Sequence, residues 1–112
     1  METTPKEVLI YATPDGKEPF TEWVNALRDR NARARIKTRL RRVEQGNLGD
    51  YQSVGEGVCE LRIDYGPGYR VYFAQVRTII IIILGGGDKS SQNKDIATAL
   101  GYWAKYKEST DV

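Results

Sequence analysis

Histidine is missing from this chain of 112 residues. Its absence removes the commonest zinc ligand and the commonest general base together. Any enzymatic chemistry must therefore come from Arg, Lys, Tyr, Asp or Glu, and no metal or other cofactor is expected. Cysteine is nearly missing too. The single Cys59 excludes a disulfide within the chain and fits a reducing cytoplasm. Its place on the apolar side of an alternating stretch reads as core rather than as a reactive thiol. Long apolar runs are also lacking: the longest, Ile79 to Leu84, is far short of the ~20 residues needed to cross a bilayer. The N-terminus METTPKEV lacks the shape of a signal peptide. The expectation is a cytoplasmic protein without membrane association. No internal repeat and no low-complexity linker interrupts the sequence, so residues 1–112 are expected to form one domain with one core.

Charge is plentiful but uneven. The net charge is +2, yet residues 28–42 (RDRNARARIKTRLRR) hold eight of the 17 basic residues and one of the 15 acidic ones. The rest of the chain, with nine basic and fourteen acidic residues, is mildly negative. A basic block beside an acidic remainder suits an anionic partner at one surface, either nucleic acid or an acidic protein. Arg33, Lys37 and Arg41 share one flank of this block, while Arg35, Arg39 and Arg42 occupy others. Like charges four apart on a helix cost stability, and a partner of opposite sign would offset that cost.

Patterning divides the chain into a strand, two helices, three strands and a helix. Lys6 to Tyr11 reads as the first strand, closed by the turn signal Thr13-Pro14-Asp15-Gly16. Pro19 opens a helix with Phe20, Trp23, Val24 and Leu27 at helical spacing. Asn31 is the expected cap of a second helix with the stripe Ile36, Leu40 and Val43, ending at Gly46-Asn47. The two together predict an N-terminal helical hairpin. Leu48 to Gly57 reads as a loop. Ile79 to Leu84, apolar on both sides, predicts a central strand covered on both faces. Beyond Gly85-Gly86-Gly87, Ser90 or Ser91 is placed to cap a C-terminal helix that buries Ile96, Leu100 and Trp103. The fold class is α+β, an antiparallel-rich sheet with helices packed on it.

The strands on either side of Gly66-Pro67-Gly68 carry the candidate chemistry. Alternation sets Cys59, Leu61, Ile63 and Tyr65 on one face and Glu60, Arg62 and Asp64 on the other. It likewise opposes Tyr69, Val71 and Phe73 to Arg70, Tyr72 and Ala74. A tight hairpin pairing Tyr65 with Tyr69 would set Asp64 opposite Arg70 and Arg62 opposite Tyr72. The next strand runs back alongside and delivers Lys89 to the same rim. Arg62, Arg70 and Lys89 then converge, a set able to hold a phosphodiester and its developing charge without metal. Tyr72, beside Arg62, is a candidate to stack on a base or orient a phosphate. The same pattern also fits a bland reading: an ordinary Asp64–Arg70 cross-strand ion pair with Arg62 solvated. The triple glycine lacks the spacing of a phosphate-binding loop or dinucleotide fingerprint and reads better as a close-packing device.

ELRIDYGPGYRVYF, the apolar strand and GGGDKSSQNKDI together resemble the RelE/HigB-type toxins of bacterial type II toxin–antitoxin modules, closest to the phage-derived addiction-module killer proteins. The resemblance covers nearly the whole chain. It implies a RelE-like, microbial-ribonuclease-like fold and a metal-independent endoribonuclease that cleaves mRNA, usually on the ribosome, inhibiting translation and growth. It also implies a cognate helix-turn-helix antitoxin as partner. By motif position Arg62, Arg70 and Lys89 match the family's basic catalytic residues. The implied reaction is attack of a ribose 2′-OH on the adjacent phosphate. One departure is Glu60-Leu61-Arg62, where RelE has two lysines flanking an apolar residue. Glu60 is thus either a general base for the 2′-OH or an anchor for Arg62. Arg35, Arg39 and Arg42 are the candidates for RNA binding outside the centre. Two other functions stay open: a ParE-like toxin that inhibits DNA gyrase by protein binding, and an RNA-binding module without catalysis.

Overall fold

In a computed structural model, which describes residues 4–110, the elements run in the order β1 (Glu7–Ile10), α1 (Pro19–Ala26), α2 (Arg30–Glu44), β2 (Tyr51–Gly55), β3 (Val58–Ile63), β4 (Tyr69–Val76), β5 (Ile80–Asp88), a 3-10 turn (Lys89–Ser91) and α3 (Gln92–Ser109). The strands make one mixed sheet in the order β1-β5-β4-β3-β2. β1 pairs with β5 in parallel, and the other three pairings are antiparallel. The α+β class is as the patterning indicates, with one strand more than expected. β2 lies within the stretch that reads as loop, because Tyr51, Gln52 and Ser53 are exposed and show no apolar alternation.

Both faces of the sheet are covered, and the isoleucine run shows why six apolar residues occur in succession. Ile81 and Ile83 join Leu61, Ile63, Val71 and Phe73 beneath Phe20, Val24, Ala32, Ile36 and Val43 of α1 and α2. Ile82 and Leu84 join Tyr72, Ala74 and Val76 beneath Ala99 and Trp103 of α3. The strand-face assignments made from alternation hold at each of these positions. α1 and α2 thus lie consecutively on one face, with α1 packed on β5 and α2 on β1 and β3, while α3 covers the other face.

Three local expectations are corrected. The cap of α2 is Asp29, not Asn31: its carboxylate accepts from the N–H groups of Asn31 and Ala32, starting the helix one residue ahead of the Asn31 cap position. The C-terminal helix is led in by Asp88, which caps the 3-10 turn, and Ser91 at the start of α3 makes no side-chain cap bond. The hairpin register also differs. Ile63 pairs with Tyr69, so Arg62 faces Arg70 and Glu60 faces Tyr72. Five residues form the connection, with Gly66 (φ 57°) and Gly68 (φ 80°) left-handed. Tyr65 leaves the ladder because its ring lies under the Arg35 guanidinium, 4.5 Å away, and its hydroxyl donates to Asp29 (3.1 Å). Asp64 consequently stays exposed, with no ion pair to Arg70 among the described residues.

The strand expected over Ile79 to Leu84 extends through glycines 85–87 to Asp88. A bulge in β5 pairs Tyr72 with Gly85 and Phe73 with Ile83, leaving Leu84 as the extra residue. Both Gly85 and Gly87 thereby face α3, and Gly86 faces α1, where the Trp23 ring occupies the space a Cβ would need. No described helix is long and apolar enough to cross a membrane.

Candidate functional site

Two rungs of the sheet, at the end nearest the β3–β4 connection and beneath the start of α3, bring the chemistry together. One rung is Arg62–Arg70–Gly87 and the next is Glu60–Tyr72–Gly85. Since alternate residues share a face, all of these side chains point toward α3. Glu60 is 0% exposed, the one charged residue in the buried core among those described. A carboxylate in that position has to be paired and hydrogen-bonded to persist as an anion. It lies 3.3 Å from Arg62 Nε and 3.7 Å from Arg70 Nε, and it accepts from Gln92 Nε2 of α3 through both oxygens (3.1 and 3.0 Å).

The two arginines differ in freedom. Arg62 also donates to Gln52 of β2 (2.5 Å) and is 36% exposed. Arg70 is 13% exposed, with its Nη1 donating to the carbonyls of Gly68 and Tyr69 (3.3 and 3.4 Å). Its Nε, buried, has no hydrogen-bond partner. Lys89 is exposed just beyond β5, where Asp88 pairs with Tyr69. Arg70 Nη1 and Lys89 Cβ both border Gly68, within 3.5 and 3.6 Å of where its Cβ would be. The structure thus brings Arg62, Arg70 and Lys89 to one end of the sheet and sets the Glu60 carboxylate between the arginines. It does not bring Asp64 into this group.

Tyr72 departs from its expected role. Its ring is 1% exposed and lies in the core under α3, so no face is available for a base to stack on. Its hydroxyl is buried without a hydrogen bond of acceptable geometry. Burial, together with the nearby carboxylates of Glu60 and Asp95, pushes its pKa well above the ordinary tyrosine value. The alternation that places Tyr72 on the charged face is correct; the covering helix, invisible to a local pattern, buries that face.

Arg35, Arg39 and Arg42 form a second basic feature. With Asn31, Thr38, Arg62, Ile63 and Asp64 they line an open groove of about 540 Å³ between α2 and β3. Spacings of four and three bring them to one side of the helix. Arg39 also donates to the Asp50 carbonyl (3.0 Å), and its pKa is lowered by burial and by the neighbouring Arg42. Arg62 belongs to both features and links groove to rungs.

Two participants, Gln92 and Asp95, lie in the GGGDKSSQNKDI stretch that carries the resemblance, but no role follows for them from the sequence. Gln92 lies 32 positions from Glu60, and nothing local marks it as a partner. Asp95 accepts from Ser91 Oγ (2.5 Å) and packs so closely over Gly87 that a Cβ there has no room. Cys59 is half-buried, with its thiol pKa raised by burial, as befits a packing residue. Among the described residues, no group of three or more Cys, Asp or Glu side chains gathers to hold a metal ion.

No family model matches the chain. A protein of Haemophilus influenzae, described as uncharacterized, is 48% identical over 80 residues, covering 71% of this chain and 81% of that protein.

Proposed function

This chain belongs to one family with that Haemophilus influenzae protein, and we propose that it is an endoribonuclease toxin of the RelE/HigB kind, acting on mRNA and restrained by a cognate helix-turn-helix antitoxin. In this reading α1 and α2 are the helical hairpin and the whole is a microbial-ribonuclease-like fold. The observation that carries it is the pairing of Arg62 with Arg70 across the sheet around Glu60, with Lys89 at the same end. Two guanidiniums and an ammonium suit one phosphodiester.

The chemistry follows from those groups. The ribose 2′-oxygen forms a bond to the adjacent phosphorus while the bond to the 5′-oxygen breaks, leaving a 2′,3′-cyclic phosphate and a 5′-OH. The 2′-OH proton passes to solvent water as attack proceeds, and the departing 5′-oxygen takes one up from solvent. Arg62 and Arg70 hold the phosphate and stabilise the added negative charge of the phosphorane; Lys89 adds a mobile cation beside Arg70. Glu60, enclosed and committed to Arg62 and Gln92, acts as a positioning residue for the arginines and not as the general base. The groove of Arg35, Arg39 and Arg42 offers the adjoining message or the ribosome's phosphates a basic track.

Induced expression in a bacterium tests the reading. Wild type should arrest growth and create new mRNA 5′ ends, and Arg70→Ala should lose both, with cleavage reduced at least about a hundredfold. Arrest without new 5′ ends overturns it in favour of a ParE-like toxin that binds gyrase. The occupation of both arginines by a buried carboxylate is the feature that favours that second reading, because a purely structural cluster would look the same. Salt-sensitive RNA binding with neither arrest nor cleavage points to a non-catalytic RNA-binding module built on the α2 groove.

A further inference from the structure

The groove between α2 and β3 contains a group that a plain phosphate track has no use for. Asp64 stands on its wall among Arg35, Arg39, Arg42 and Arg62. It is exposed and, among the described residues, forms no ion pair with any of these arginines. The Arg35 guanidinium is held by a different contact. It lies 4.5 Å from the centre of the Tyr65 ring, and the Tyr65 hydroxyl donates to Asp29, the cap of α2. One face of the guanidinium is thereby covered, while Arg35 itself is exposed and borders the groove. Asp64 is the chain neighbour of Tyr65, which keeps its carboxylate close to the stacked guanidinium. A carboxylate at this point repels phosphate. The groove thus suits an anionic strand that presents hydrogen-bond donors, not a phosphate, where Asp64 stands.

Resting on the ribonuclease reading, we propose that this groove reads a guanine in the RNA strand. The base stacks on the open face of the Arg35 guanidinium, a plane that single-stranded bases commonly use. Its N1–H and exocyclic amino group donate side by side to the two oxygens of Asp64. Guanine alone among the four bases has two adjacent donors on its Watson–Crick edge. Adenine and cytosine set an amino group beside an acceptor nitrogen, and uracil sets one N–H between two carbonyl oxygens. Each of these three brings an acceptor toward the carboxylate. Arg39 and Arg42, one and two helical turns beyond Arg35, meet the flanking phosphates. Arg62 belongs both to the groove and to the arginine pair around Glu60, and so joins the base site to the phosphate site.

The test titrates the full chain with four 2′-O-methyl pentaribonucleotides, all uridine except for G, A, C or U at the centre, followed by fluorescence anisotropy. The methyl group blocks attack by the 2′-oxygen, so binding is read without cleavage. The guanine pentamer should bind at least about tenfold more tightly than the other three, within the discrimination a bidentate base contact provides. Asp64→Asn should keep its melting temperature, since no ion pair is lost, and should abolish the preference. With the charge gone, affinity for the other three pentamers should stay level or rise, a change that a merely structural role would not produce. Arg42→Gln should weaken all four alike and lower their salt dependence. Equal binding of the four, or a guanine preference that survives in folded Asp64→Asn, overturns the proposal. So does guanosine 5′-monophosphate binding as tightly as the guanine pentamer, which would assign the groove to a free nucleotide. Guanine-selective binding by a protein that creates no new mRNA 5′ ends would sustain the groove and remove the ribonuclease. New 5′ ends with the same flanking bases in Asp64→Asn as in wild type would do the reverse.

Discussion

Glu60 and Tyr72 stand opposite each other on neighbouring strands, and burial treats them differently. Glu60 is surrounded by donors, so its charge is compensated. Tyr72 has its hydroxyl beside the Glu60 carboxylate without a hydrogen bond of acceptable geometry, so its lost hydration is poorly replaced. Replacing it by phenylalanine should therefore leave stability at neutral pH unchanged or raise it by about 1 kcal/mol. The pH dependence has a definite sign. Tyr11, Tyr69 and Tyr72 all have pKa values raised by burial, so the unfolded chain releases these protons first. Their contribution is complete below the unfolded value of about 10 and declines as pH rises from there toward the folded values. Urea unfolding between pH 7 and pH 11 should show stability falling above about pH 10, less steeply in Tyr72→Phe. A loss of more than about 1 kcal/mol in Tyr72→Phe at pH 7 would mean that the hydroxyl has an internal partner.

At the scale of elements, β5 combines two designs: an aliphatic half serving two cores and a glycine half that lets neighbours approach. Gly86→Ala sets a methyl against Trp23, and Gly87→Ala sets one against Asp95. Overpacking of this kind costs typically 1–3 kcal/mol. Gly85→Ala has open space and should be neutral or slightly stabilising, since alanine narrows the unfolded ensemble. Thermal denaturation of the three variants checks the order directly; equal effects at 85 and 87 would contradict the packing described. The sequence shows the triplet but not this inequality, which depends on Trp23 and Asp95 arriving from separate helices. The β3–β4 register has a similar origin. Alternation shows which residues share a face, but the pairing depends on how many residues the turn consumes, and Asp29 and Arg35 on the helical layer draw Tyr65 into the turn.

Across the whole molecule, one sheet separates two cores, and β5 lies between β1 and β4 with both faces covered. Amides of Ile81–Leu84 should exchange with solvent only through global unfolding, while those of the exposed edge strand β2 should exchange orders of magnitude faster. Hydrogen exchange read by mass spectrometry tests this, and comparable protection of β2 would show that its edge is covered. Local patterning determined the type of every element except β2, the face of the residues in β3 and β4, the doubly buried isoleucine strand and the basic character of α2, because each depends on spacing along a few residues. Tertiary structure alone decided the enclosure of Glu60 and Tyr72, the register that sets Arg62 opposite Arg70, the contacts of Gln92 and Asp95 and the recess at Gly85. Each of these depends on which distant segments share space, and burial, pairing and unfilled volume are properties of that shared space.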